Sequence, residues 1–123
     1  MKFGTISENG KSQVVVRINE EYACKLSDLE ELIGCNVSQD IIELISSIEK
    51  DKKLFLKFQK KFHNVRKMSI ATFEWLPPIQ KPSKILGVAF NNKELMKKAH
   101  KDPGVPNFFL KPPSALQGHN KPI

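Results

Sequence analysis

Lys2-Phe3-Gly4-Thr5-Ile6-Ser7-Glu8-Asn9-Gly10-Lys11-Ser12-Gln13-Val14-Val15-Val16-Arg17-Ile18 reads as a β-hairpin. Lys2 to Ile6 is short and β-prone, and Val14 to Ile18 is β-branched. Glu8-Asn9-Gly10-Lys11 between them carries the Asn-Gly turn signal. A third short strand is expected near Tyr22 to Leu26.

Outward from the hairpin the period changes to that of helices. Ser27-Asp28-Leu29-Glu30 is a Ser-x-x-Glu capping box ahead of Leu29, Leu32 and Ile33, and Gly34 is placed to end the helix. Ser38 is the expected N-cap of a second helix, with Asp40 near the positive end of its dipole. Ile41, Ile42, Leu44, Ile45 and Ile48 fall on one broad face of that helix, which should be core. From Asp51 the pattern restarts with Phe55, Phe58, Phe62 and Val65 at helical spacing. Lys52, Lys53, Lys57, Lys60, Lys61, Arg66 and Lys67 are interleaved with them, which predicts one basic amphipathic helix.

After Met68, Ile70 to Leu76 reads as a strand. Pro77-Pro78-Ile79-Gln80-Lys81-Pro82 then forbids helix and central strand alike and marks the best boundary in the chain. Beyond it, Lys84 to Phe90 reads as a buried strand, Asn92 to Lys101 as a short polar helix, and Asp102 to Pro106 as a turn. Asn107 to Lys111 reads as another strand. The expected class is α+β, with an N-terminal α+β domain over 1–76, a Pro-rich linker over 77–83 and a separate part over 84–123. Read as the opening part of a longer domain, 84–123 would leave its strands from Lys84 and Asn107 without sheet partners and with open edges, so that 77–123 depends on other chain for its order.

The chain has 123 residues and a mass of 14.0 kDa, enough for a real core but not for a large two-domain enzyme. It contains no run of about 20 apolar residues that a bilayer span requires and no apolar signal core after Met1, which points to a cytoplasmic protein that meets no membrane. Cys24 and Cys35 stand apart from any CxxC or Cys/His cluster and read as free thiols. Charge is uneven: residues 1–49 hold nine acids and four bases, whereas residues 50–123 hold four acids and sixteen bases. A basic half attracts anions, either nucleic-acid phosphates or small carboxylates.

Three phenylalanines among lysines suggest a stacking platform for single-stranded nucleic acid, but Phe55, Phe58 and Phe62 share their face with Val65 and read as buried. Nucleic acid is therefore not an expected partner, and no DNA- or RNA-reading motif is present. His63, His100 and His119 are too dispersed for a His pair on a metal, and the glycines form no phosphate-cradling loop.

A series of unusual pieces begins at Leu76. It comprises Leu76-Pro77-Pro78-Ile79-Gln80-Lys81-Pro82-Ser83-Lys84-Ile85-Leu86-Gly87-Val88-Ala89-Phe90-Asn91, then Pro103 to Pro106, and then Phe108-Phe109-Leu110-Lys111-Pro112-Pro113-Ser114-Ala115-Leu116. Gly118 and Pro122-Ile123 close it. In order and spacing these pieces, covering residues 76–123, resemble the fumarylacetoacetate hydrolase family. There the text is a Pro-Pro-x-x-x-Pro-x-Lys-Ile linker, a strand ending in Gly-x-Asn-Tyr, a lid helix with a His, and a strand carrying Phe-x-Lys-Pro-x-Ser. Residues 1–75 resemble, in layout, the small N-terminal domain of many members, which makes 84–123 the beginning of a mixed, β-rich catalytic domain.

The resemblance implies a metal-dependent enzyme that hydrolyses, isomerises or decarboxylates 2-oxo and 1,3-diketo acids such as acylpyruvates. It implies Mg²⁺, or Mn²⁺ or Ca²⁺ in its place, and a homodimer. Metal would polarise the substrate oxygens while a His activates water. The lid departs from the family text: Asn92, Leu95 and Lys98 stand where Tyr, His and Glu are expected. A longer lid would bring His100 and Asp102 into the acid–base role. Lys111 and Ser114 match in register and would meet the substrate, Lys111 through a carboxylate. Asn91 ends its strand, either as a substrate-facing amide or as the N-cap of the lid helix.

The family's metal carboxylates lie downstream of the Phe-x-Lys-Pro-x-Ser strand. After Trp75 this chain has only Glu94 and Asp102, so no metal ligand is assigned within it. Catalysis is accordingly expected only if the chain continues, not from these 123 residues alone. The alternative reading is a non-catalytic binding or assembly module that pairs with a partner chain.

Overall fold

The structure, a computed structural model, describes residues 1–99 and 104–122. Among them are seven strands, four α-helices and three 3-10 turns, an α+β arrangement. They form two compact units, one of Met1–Gln80 with the segment from Gln117 onward, the other of Lys81–Leu116. None of the described helices is long and apolar enough to cross a membrane.

In the first unit, β1 (Phe3–Glu8) and β2 (Lys11–Arg17) form the expected hairpin, with Glu8 opposite Lys11. Asn9 at φ 51° and Gly10 at φ 74° both take the left-handed backbone that a tight two-residue turn requires. β3 (Tyr22–Lys25) pairs with β2, β4 (Met68–Ser69) with β3, and β5 (Glu74–Leu76) with β1. The result is an antiparallel sheet in the order β4-β3-β2-β1-β5.

Because side chains alternate along a strand, this register gives the sheet two apolar faces. Val14, Val16 and Cys24 meet Leu26 and Leu29 of α1 (Leu26–Ile33), Ile41 and Leu44 of α2 (Ile41–Lys50), and Leu54 and Phe58 of α3 (Lys52–Lys61). Sealing a side chain such as Leu29 or Phe58 from water contributes about 1.5–3 kcal/mol. Ile6, Val15 and Ala23 form the other face and pack with Ile70, Phe73 and Trp75.

Five sequence expectations are corrected in this unit. α1 starts directly from β3 with Lys25 as N-cap and no side-chain cap, so Ser27 lies inside the helix. Its intended partner Glu30 instead accepts from the Val37 N–H at 2.7 Å and from Gln39 Nε2 at 3.1 Å, tying down the loop to α2. Gly34, at φ 64°, does end α1. The cap of α2 is Asp40, accepting from the N–H groups of Ile42 at 2.8 Å and Glu43 at 3.2 Å, while Ser38 accepts from Asp40 one step earlier.

That starting point turns Ile41 and Leu44 inward and leaves Ile42 and Ile45 nearly half exposed, narrowing the core face. α3 is shorter than predicted. It buries Leu54 and Phe58, stops at Lys61, and a 3-10 turn over Phe62–Asn64 brings Phe62 and Val65 against the core.

The strand expected over Ile70–Leu76 is interrupted. Residues Ile70–Thr72 form a 3-10 turn in which the Thr72 hydroxyl donates to the Ser69 carbonyl at 2.9 Å. The turn carries the chain from the β3 edge to the β1 edge of the sheet, which is why Ile70, Phe73 and Trp75 cover the face without helices.

In the second unit, β6 (Ile85–Ala89) and β7 (Asn107–Lys111) take each other as antiparallel partners, where open strands were expected. Ile85 lies opposite Lys111 and Ala89 opposite Asn107, with α4 (Lys93–Ala99) in the connection. Leu86, Val88, Phe108 and Leu110 alternate onto one face of this ribbon, and all four are exposed.

The segment from Gln117 belongs to the first unit, where Gly118 packs against the Trp75 carbonyl and Lys121 Nζ lies 2.8 Å from Glu74 Oε1.

Candidate functional site

Asn91 follows a turn made by Phe90, whose φ of 52° bends the chain away from the end of β6. The helix cap open to it belongs to its neighbour: Asn92 Oδ1 accepts from the Glu94 N–H at 2.8 Å, and the Asn92 carbonyl from Met96 at 3.0 Å. Asn91 instead lines a recess of about 430 Å³ with Val88, Phe90, Met96, Val105 and Pro106.

Lys111 ends β7 at the other end of the ribbon, and Pro112 leads from it into a 3-10 turn, Pro113–Ala115, that carries the exposed Ser114. The ladder therefore brings Lys111 and Ser114 into one neighbourhood and Asn91 into another. Four residue steps separate the pair Ala89–Asn107 from the pair Ile85–Lys111, a distance of roughly 13 Å at the usual strand rise. His100 and Asp102 lie outside the described residues.

Among the described residues no group of three or more His, Cys, Asp or Glu side chains is arranged to hold a metal ion. A hard divalent cation needs several oxygen ligands at once, so these residues do not fit a Mg²⁺, Mn²⁺ or Ca²⁺ centre.

The cysteines are unsuited to nucleophilic work. Burial, with Asp28 adding to it, pushes the Cys24 thiol up to about 11, and its Sγ lies 3.7 Å from the Val16 carbonyl. Burial and then the charge of Glu30 raise Cys35 as well. A thiol kept protonated is a poor nucleophile. On α3, Phe58 is sealed in the core, so that helix displays no row of stacking rings.

A recess of about 380 Å³ on the helix-free face of the first sheet went unread in the sequence. Arg17, Trp75 and His119 line it, brought together from a hairpin end, an edge strand and the returning tail. The one local signal was Gly118, which lets the tail backbone lie against Trp75.

A scan against models of known protein families finds no match for this chain, and a search of curated proteins finds none either.

Proposed function

We propose that this chain serves a fumarylacetoacetate hydrolase-like enzyme acting on 2-oxo or 1,3-diketo acids, to which it supplies the N-terminal domain, the lid and substrate-side contacts. One observation carries the reading. The segment with the motif resemblance is built as strand, helix, strand, with Asn91 at the first strand's exit and Lys111 closing the second, the layout the resemblance implies.

In this reading Lys111, with Ser114 beside it, offers an ammonium and a hydroxyl to a substrate carboxylate. Asn91 offers an amide at the recess under the lid helix. The ladder ends that Lys111 and Asn91 flank stand roughly 13 Å apart, more than the span of a five- or six-carbon oxo acid, so the two residues serve separate contacts. His100 is the proposed acid–base residue. Metal ligands are not assigned to this chain, and its own part is binding and orientation. A cytoplasmic, dimeric enzyme belongs to the same proposal.

The exposed face of Leu86, Val88, Phe108 and Leu110 favours a second reading, an assembly module whose ribbon adds to a partner's sheet. Turnover separates the two. Hydrolysis of an acylpyruvate consumes one water and releases a carboxylate and pyruvate, so the natural gene product is incubated with acetylpyruvate and Mg²⁺ and pyruvate is measured. Metal-dependent release is expected. A product that stays inert with Mg²⁺, Mn²⁺ and Ca²⁺ towards hydrolysis, isomerisation and decarboxylation overturns the enzyme reading.

A further inference from the structure

We propose that the recess bounded by Arg17, Trp75 and His119 is a binding site for a small carboxylate with a flat apolar body. The proposal is independent of the reading above, since it concerns only the first unit.

The floor is made of Gly4, Val15 and Ala23, side by side on the helix-free face through the pairings Gly4–Val15 and Arg17–Ala23. These are small or short side chains, and Val15 and Ala23 lie almost sealed from water beneath the residues that cover this face. Gly4 leaves room for its neighbour: a Cβ at that position would stand 2.8 Å from the Trp75 ring, so glycine lets the indole lie over the backbone of β1 without shifting. Ile70 stands with Trp75 as an apolar wall. Phe73 meets Trp75 edge-on at 5.3 Å between ring centroids and braces it from outside the recess.

The rim is cationic. Lys2 and Arg17 face one acid, Glu20. Arg17 is held rather than waving: its Nε donates to the Asn19 carbonyl at 2.9 Å and its Nη2 pairs with Glu20. A guanidinium has five N–H donors in a rigid fork, so a second acceptor can be bound with little further loss of side-chain freedom. The imidazole of His119 completes the wall, its segment anchored by Gly118 against Trp75 and by the Lys121–Glu74 pair.

An apolar floor with an aromatic wall selects a flat apolar body, while an oriented arginine selects a carboxylate. The volume suits one small molecule, since ligand sites run from about 300 Å³ upward. Inorganic anions satisfy only the rim.

Trp75 is the single tryptophan of the chain, so its fluorescence reports on this recess. The full chain is titrated at low salt with benzoate, and in parallel with benzamide, which keeps the ring without the charge, and acetate, which keeps the charge without the ring. A saturable change with benzoate is expected, with benzamide and acetate each weaker by about tenfold or more, the size of one charge-assisted contact. Arg17→Gln should weaken benzoate by a similar factor. No saturable change with benzoate, or equal binding of benzamide or acetate, overturns the proposal. The probe comparison uses unaltered protein and therefore decides even where R17Q fails to fold.

Discussion

The ring of Phe109 lies over Gly87, its direct cross-strand partner in the β6–β7 ladder, and fills the space a side chain at 87 would take. A glycine in a strand interior loses packing, and an aromatic ring across from it restores that loss. Gly87→Ala should push the partly exposed ring aside and weaken the ribbon by about 1 kcal/mol, the low end of the overpacking range. Faster amide exchange confined to β6 and β7 is the expected signature; unchanged protection would mean that the ring does not brace the ribbon.

Phe58 is fully buried where α3 meets the sheet, whereas Phe55 is only partly covered. Phe58→Ala should cost about 3–5 kcal/mol in urea unfolding, the range for aromatic truncation in a packed core. Phe55→Ala should cost clearly less. Equal costs would show that the two faces of α3 are not distinguished as described.

Asp40 caps α2 through two backbone N–H groups, and Ser27 caps nothing. Asp40→Ala should therefore destabilise by about 1 kcal/mol, while Ser27→Ala stays within about 0.5 kcal/mol. Chemical denaturation of the two variants tests the reassignment, and a reversed order would restore the capping box at Ser27.

The hydrogen bond from Lys121, and then its charge, hold the Glu74 carboxyl below the ordinary value of 4.5. A lowered folded value means that the tie is fully present above that ordinary value and is lost as pH falls through the lower one. Amide resonances of Gly118 to Lys121 should move towards random-coil positions on acidification and in high salt. The thermal midpoint of the whole chain should hardly change with Lys121→Ala, because the pair is exposed. Tail resonances insensitive to both acid and K121A would sink the assignment.

Cys24 is sealed in the core and Cys35 half-covered, both as free thiols. A thiol reagent at pH 8 should modify Cys35 first and reach Cys24 only on unfolding. For Cys24 the folded value of about 11 lies above the ordinary 9.0, so its contribution is complete below pH 9 and is lost as pH rises towards 11. Stability should fall on the order of 3 kcal/mol across that window. Two thiols reacting together in the folded chain would contradict the burial.

Much of the frame was legible in local residues. Asn9-Gly10 sets its own turn because both positions accept positive φ, and Gly34 ends α1 for the same reason. The caps were misread because Ser27, Ser38 and Asp40 all have capping side chains, and the one used depends on where the preceding strand or loop delivers the chain. The strand through Ile70–Thr72 was misread because its apolar, β-prone residues suit a ladder equally well as a crossing over a sheet face.

For the candidate site, the residue types at 91, 111 and 114 were visible in the text, and their separation to opposite ends of one ribbon was not, because strand register is a property of the pair. The hairpin and the presence of helices after it came from the sequence by itself, since each depends on neighbours within a few residues. Two things were decided only in three dimensions: the pairing of β6 with β7, and the return of the tail to Trp75, where Arg17 and His119 share a recess. Both join residues far apart in the chain, and no local periodicity encodes which distant surface a segment will meet.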